Sequence, residues 1–115
     1  LKSLRAVQKL PVKTALPAHR SAGSVSLAER AEELINHHQR RIEELSAIMR
    51  GEPGLTCYEA AARMKWSIRA ASWDDFPPSQ KYFAVCECMA HLQHMYCLGL
   101  VERRAGADGI ARYYK

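Results

Sequence analysis

Glu87, His91 and His94 stand at positions i, i+4 and i+7, so a helix through them would bring a carboxylate and two imidazoles onto one face. Such a set could bind a metal or act as a pH switch, because imidazole changes charge near neutrality. The same spacing suits an ordinary surface pair, and we read Glu87 and His91 that way, turned toward a neighbouring domain. His37 and His38 are adjacent, which sends one ring inward and one outward on a helix, and Arg40 follows in the same stretch. A satisfied structural histidine is expected there rather than a ligand. Of Cys57, Cys86, Cys88 and Cys97, three share one helical stretch and cannot form a disulfide framework within it. Cys86 and Cys88 point to opposite sides of such a helix and make a poor chelate. All four are expected to be reduced, mostly buried thiols of a cytosolic protein.

The element that must position most of these groups runs from Pro77 to Leu100. Val85, Met89, Leu92 and Tyr96 recur at helical spacing, with Phe83, Cys86 and Cys88 widening the apolar stripe. Pro77 and Pro78 suit a helix start, and Gly99 suits a left-handed cap at its end. Two strand-like runs around Gly106-Ala-Asp-Gly109 then predict a terminal hairpin. Upstream, Ser26-Leu-Ala-Glu29 reads as a capping box opening a helix to about Arg50, with Leu27, Ala31, Leu34, His38, Ile42, Leu45 and Met49 on one face. Thr56-Cys-Tyr-Glu59 opens a second, short, alanine-rich helix through Met64. Trp66, Trp73 and Phe76 are expected to pin the connection that follows. Long helix, short helix, loop, helix and hairpin make a mainly α winged helix-turn-helix over residues 21–115, with the hairpin as its wing.

Residues 1–20 do not belong to that pattern. Leu1, Leu4, Val7 and Leu10 predict a short helix ended by Pro11, and Val12–Leu16 reads as a short strand with no partner nearby. The missing initial methionine, in the middle of a periodic pattern, suggests a fragment of something longer. Basicity is also confined here: five of the seventeen Lys and Arg fall in residues 1–20 with no acid, leaving twelve of each sign from residue 21 onward. A net charge of +5 would raise nucleic acid as a partner, yet residues 21–115 are neutral. No run approaches the roughly 20 apolar residues of a membrane-spanning helix, and no signal-peptide pattern opens the chain.

Several stretches resemble the end of a metallo-β-lactamase-fold hydrolase, in the glyoxalase II-like and lactamase-like branch that appends a winged helix to the catalytic sandwich. They are Leu16-Pro-Ala-His19-Arg20, His37-His-Gln-Arg40, Trp73-Asp-Asp-Phe-Pro-Pro78, and Phe83 to Leu92 with the Gly99-Leu-Val101 that follows. The resemblance implies that residues 1–20 end the catalytic domain and that His19 is the last ligand of its metal centre. Ala18 and Arg20 stand where the family often has glycine. The remaining ligands have no counterpart here, so zinc or another divalent metal pair is implied only for the full-length protein. One imidazole cannot hold a catalytic zinc, which takes three protein ligands. The chain alone is expected to be inactive and to bind no cofactor, its partner being the catalytic domain in cis.

A nucleic-acid-binding winged helix is the competing expectation. Its candidates are Lys81 on the third helix and Arg103, Arg104 and Arg112 on the wing, with Gln80, Glu87, His91, Gln93, His94 and Lys115 nearby. One lysine balanced by one glutamate is a weak phosphate-binding face, and wing arginines also keep an exposed hairpin from pairing edge to edge. We therefore expect a module that packs on the catalytic domain and shapes substrate access or oligomerisation. The apolar Leu1–Arg20 segment, without its sheet, invites dimerisation.

Overall fold

A computed structural model describes residues 1–16 and 25–115. Within them lie α1 (Lys2–Gln8), α2 (Leu27–Gly51), β1 (Leu55–Thr56), α3 (Cys57–Arg63), α4 (Pro78–Cys97), β2 (Glu102–Ala105) and β3 (Ala111–Tyr114). The protein is mainly helical, with one small antiparallel sheet. Two compact units, Leu1–Arg40 and Arg41–Lys115, divide inside α2.

In the first unit, Ser26 Oγ accepts the Glu29 N–H at 3.2 Å while Glu29 Oε2 accepts the Ser26 N–H at 2.9 Å. Each residue satisfies a donor that the helix start leaves unpaired. Gln8 Nε2 donates to Glu32 Oε2 at 2.8 Å, tying α1 to this part of α2. Residues 12–16 form no strand, contrary to their pattern. A strand is completed by hydrogen bonds to a neighbour, and among the described residues none pairs with this segment. Leu10, Val12 and Leu16 are exposed as a result.

The second unit is built around a core of Leu45, Met49, Leu55, Ala60, Ala61, Met64, Cys88, Leu92, Met95, Val101 and Tyr113. Ala60 and Ala61 are fully enclosed, and their small side chains let α3 lie close against α4. Cys57 and Cys88 lock the same contact, each thiol donating to a carbonyl of the other helix, Val85 O at 3.5 Å and Cys57 O at 3.6 Å. Of the four free thiols only Cys88 is fully buried, and Cys97 is exposed. Trp66 Nε1 donates to Ala61 O at 2.8 Å, and Trp73 packs between Tyr58 and Phe76, so aromatic contacts do pin the 65–77 connection.

The sheet order is β1-β3-β2, with Leu55 opposite Tyr113 and Arg103 opposite Tyr113 on its other side. Gly54 leads into β1 at φ +87°, and a Cβ there would meet the Tyr114 ring at 3.1 Å. Glycine is required on both counts. At the end of α4, Gly99 has φ +69°. The Gly99 N–H reaches Tyr96 O and the Leu100 N–H reaches Met95 O, the paired bonds of a Schellman cap.

The burial of α4 departs from the expected stripe. Ala84, Cys88, His91, Leu92 and Met95 face the core, whereas Phe83, Met89 and Tyr96 are exposed. Apolar residues surround this helix almost completely, so periodicity alone could not choose which face turns inward. His91 accordingly lies inside rather than in the surface pair expected of it, with Nδ1 2.8 Å from Glu87 O.

Truncating the inner face should cost far more than truncating the outer one. Leu92→Ala should lose about 2–5 kcal/mol in urea unfolding, and Met89→Ala within about 0.5 kcal/mol. A pH dependence follows from the caps. Hydrogen bonds from the Thr56 backbone and side chain hold the Glu59 carboxyl below the usual range, and the Arg63 guanidinium does the same for Glu52. A depressed folded pKa contributes stability above the unfolded value, and that stability is lost as pH falls through the folded one. The urea midpoint should therefore fall as pH drops below the ordinary carboxylate range, and Glu59→Gln should shallow that fall.

Candidate functional site

Arg41 is the buried charge of the second unit. It sits on α2 three residues after His38 and four before Leu45, in line with the apolar stripe. Nη1 donates to Glu44 Oε2 at 2.7 Å and to Lys65 O at 2.8 Å. Nη2 lies 3.8 Å from Met64 Sδ, and Nε lies 3.3 Å from Glu87 Oε1. The guanidinium also covers the Trp66 ring, 4.2 Å from its centroid. Glu44 Oε1 in turn accepts the Lys65 N–H at 2.6 Å. A planar, permanently charged fork can satisfy a carboxylate, a carbonyl and an aromatic face together, which an ammonium cannot. This cluster joins α2, the end of α3 and α4. It is a structural clamp, and it gives Glu87 a place in the fold.

The other residues singled out from the sequence lie apart from it. His37 is exposed and His38 half-buried, their rings 5.3 Å apart edge to face. His37 and Arg40 share one shallow depression with Arg30, Glu33 and Leu34. His19 lies outside the described residues, as does the turn around it. Among the described residues, no three His, Cys, Asp or Glu side chains stand together as a metal ion would require.

The candidate cations for nucleic acid are engaged within the protein. Arg103 Nη1 donates to Gln93 Oε1 at 3.1 Å, and its guanidinium covers Tyr96 at 4.6 Å. Arg104 pairs with Glu102 and covers Tyr114 at 4.9 Å. Arg112 Nη2 bonds Asp108 at 2.9 Å, with Nη1 3.8 Å from the capping carboxylate of Glu59. Lys81 Nζ stands over the Trp73 ring at 5.4 Å. Asp108 is held below the usual carboxylate range by the Ile110 N–H and by Arg112, so it stays charged beside that arginine at neutral pH.

What remains open to solvent is the outer face of α4. Tyr82 is 67% exposed, Phe83 63% and Met89 52%, and Tyr96 continues the row. The helix's two charged residues, Lys81 and Glu87, lie off this row, against Trp73 and Arg41. An apolar strip of this kind, with no ionic group on it, fits another apolar surface better than a phosphate backbone. The sequence reading assigned Phe83, Met89 and Tyr96 to the core and so passed over this face. Their apolar character was visible, but not the side on which α3 packs.

Comparison with known proteins gives one similarity in sequence and one in fold. Residues 74–115 match the model of the metallo-beta-lactamase-like C-terminal domain. The fold is similar to that of a beta-lactamase domain protein from Burkholderia ambifaria, at 24% identity and a TM-score of 0.78. That similarity covers 99% of this chain and 32% of the other, so the chain spans about a third of that protein's length. No curated protein matches the sequence. Over residues 74–115 the sequence is thus similar to that family's C-terminal domain, in line with the resemblance carried by the motifs, and the solved structure has the same fold. No described helix is long and apolar enough to cross a membrane.

Arg41→Met should lower the unfolding free energy by about 2–3 kcal/mol, less than the 3–5 of a fully buried pair because Glu87 is partly exposed. Arg41→Lys should recover only a minor part of that loss, measured by the same urea titration.

Proposed function

We propose that this chain is the non-catalytic C-terminal domain of a metallo-β-lactamase-like, metal-dependent hydrolase, and that its second unit with α2 is a winged helix. The order α2, β1, α3, α4, β2, β3 supports the winged-helix reading, with β1 adding a third strand to the hairpin wing. The match of residues 74–115 to the family's C-terminal domain supports the placement. In this reading hydrolysis belongs to the catalytic domain, where a bound zinc or other divalent pair would supply an activated water. His19 would be the last ligand of that centre. Because the described residues offer no ligand cluster of their own, no hydrolytic step is assigned to them. The domain packs against its catalytic partner and shapes substrate access or oligomerisation. Four free thiols accord with a cytoplasmic location.

The observation that carries this reading is the uncharged, aromatic outer face of α4. A winged helix that reads DNA presents the corresponding helix to the major groove, with cations beside it to meet phosphates. Here Lys81, Arg103, Arg104 and Arg112 are turned to internal partners instead. Fluorescence anisotropy with labelled duplex DNA and single-stranded RNA tests the choice. At physiological salt the chain should show no micromolar binding. Micromolar or tighter binding that falls steeply with salt, and is lost on combining Arg103→Gln, Arg104→Gln and Arg112→Gln, would make nucleic acid the partner.

A further inference from the structure

Cys57 and Cys88 are 31 positions apart in sequence and meet where α3 packs on α4. Each thiol donates to a carbonyl of the facing helix, Cys57 Sγ to Val85 O at 3.5 Å and Cys88 Sγ to Cys57 O at 3.6 Å. The Cys88 thiol also reaches the Cys57 sulfur, so the two side chains are direct neighbours. They differ in access: Cys57 is half-buried, whereas Cys88 is fully enclosed. The hydrogen bond from Cys88 holds the Cys57 thiol below its ordinary range, while that contact and burial push Cys88 up. The thiol that solvent can reach is therefore the one more readily ionised, with a second sulfur directly behind it. Cys86 and Cys97 are engaged elsewhere on α4, beside Tyr82 and Gln93.

We propose that Cys57 and Cys88 form a peroxide-sensitive pair whose disulfide staples α3 to α4. The Cys57 thiolate attacks one oxygen of hydrogen peroxide, the O–O bond breaks, and the departing hydroxide takes up a proton to leave as water. Cys57 is then a sulfenic acid. The Cys88 sulfur attacks the Cys57 sulfur, the S–O bond breaks, and the hydroxyl leaves with the Cys88 proton as a second water. Two thiols lose two electrons and two protons in all, and one peroxide becomes two waters. A disulfide needs its sulfurs about 2.05 Å apart, and Cys88 Sγ already lies 3.6 Å from the backbone of Cys57. Ala60 and Ala61 keep the two helices close, so rotation of the side chains completes the approach. Both accepting carbonyls lie within helices and keep their helical donors when the thiol protons are lost. The reduced pair holds the helix contact by hydrogen bonds, and the oxidised pair holds it covalently.

This inference is independent of the domain's role in a larger protein. Its test is to treat the folded, dilute chain with hydrogen peroxide, block the remaining thiols with iodoacetamide, and map a non-reduced digest by mass spectrometry. A peptide pair joined through Cys57 and Cys88 should appear and should vanish when dithiothreitol is added before blocking. The Cys86→Ala, Cys97→Ala double variant should lose both of its thiols and the mass of two hydrogens, with no link between chains. Its urea midpoint should rise on oxidation, because the closed loop restricts the unfolded chain, and should return on reduction. Thiols left free by peroxide, Cys57 carried on to sulfinic acid beside an unreacted Cys88, or a link that lowers the urea midpoint would each overturn the proposal.

Discussion

The second unit depends on accommodating one buried guanidinium. Arg41 is nearly enclosed, and removing an arginine from water is costly unless its donors find acceptors. Hydrogen-bond acceptors come from Glu44 on its own helix and from Lys65 O after α3, while Glu87 on α4 adds an ion pair 3.3 Å from Nε, which itself makes no hydrogen bond. None of these alone would suffice. Because the charge is best compensated when all three segments stand in place, the ion cluster favours one arrangement of the helices. The apolar core beside it, from Leu45 to Leu92, contributes the greater driving force but is less particular about geometry.

The same contact explains why α4 has two unlike apolar faces. Ala60 and Ala61 of α3 share one core with Cys88 and Leu92 of α4, and small groups on both helices allow close approach. Glu87 turns to Arg41 and Lys81 to Trp73, which removes the helix's only charges from its outer row. A helix that buries one side and leaves the other both apolar and exposed is poorly suited to meet water alone. The wing shows the opposite economy, since each of its arginines has a carboxylate, an amide or a ring to hold it. Together these features favour contact between proteins over contact with phosphate.

Much of this was legible from residue order. Two capping boxes, the paired prolines, Gly99 and the Gly106–Gly109 turn all stand where their local chemistry placed them, because each acts within a few residues. What escaped depends on distant partners. The two-residue β1 is too short for any periodic signal and exists because Tyr113 and Arg112 come alongside it. Val12–Leu16 has a strand's composition but pairs with no strand among the described residues. Arg41 lay on the apolar stripe of α2, spaced correctly from His38 and Leu45, and its charge obscured that position. His91 was misplaced for the converse reason, since a polar ring on an apolar helix was assigned to the surface.

The central claim is that the outer face of α4 meets protein. Amide chemical shifts of the isotopically labelled chain, compared without and with the proposed catalytic domain, would test it most directly. The account predicts that shifts change along Tyr82, Cys86, Met89, Gln93 and Tyr96, while the wing around Arg104 and Arg112 stays fixed. Changes confined to the wing or to residues 1–16, with α4 unmoved, would contradict it.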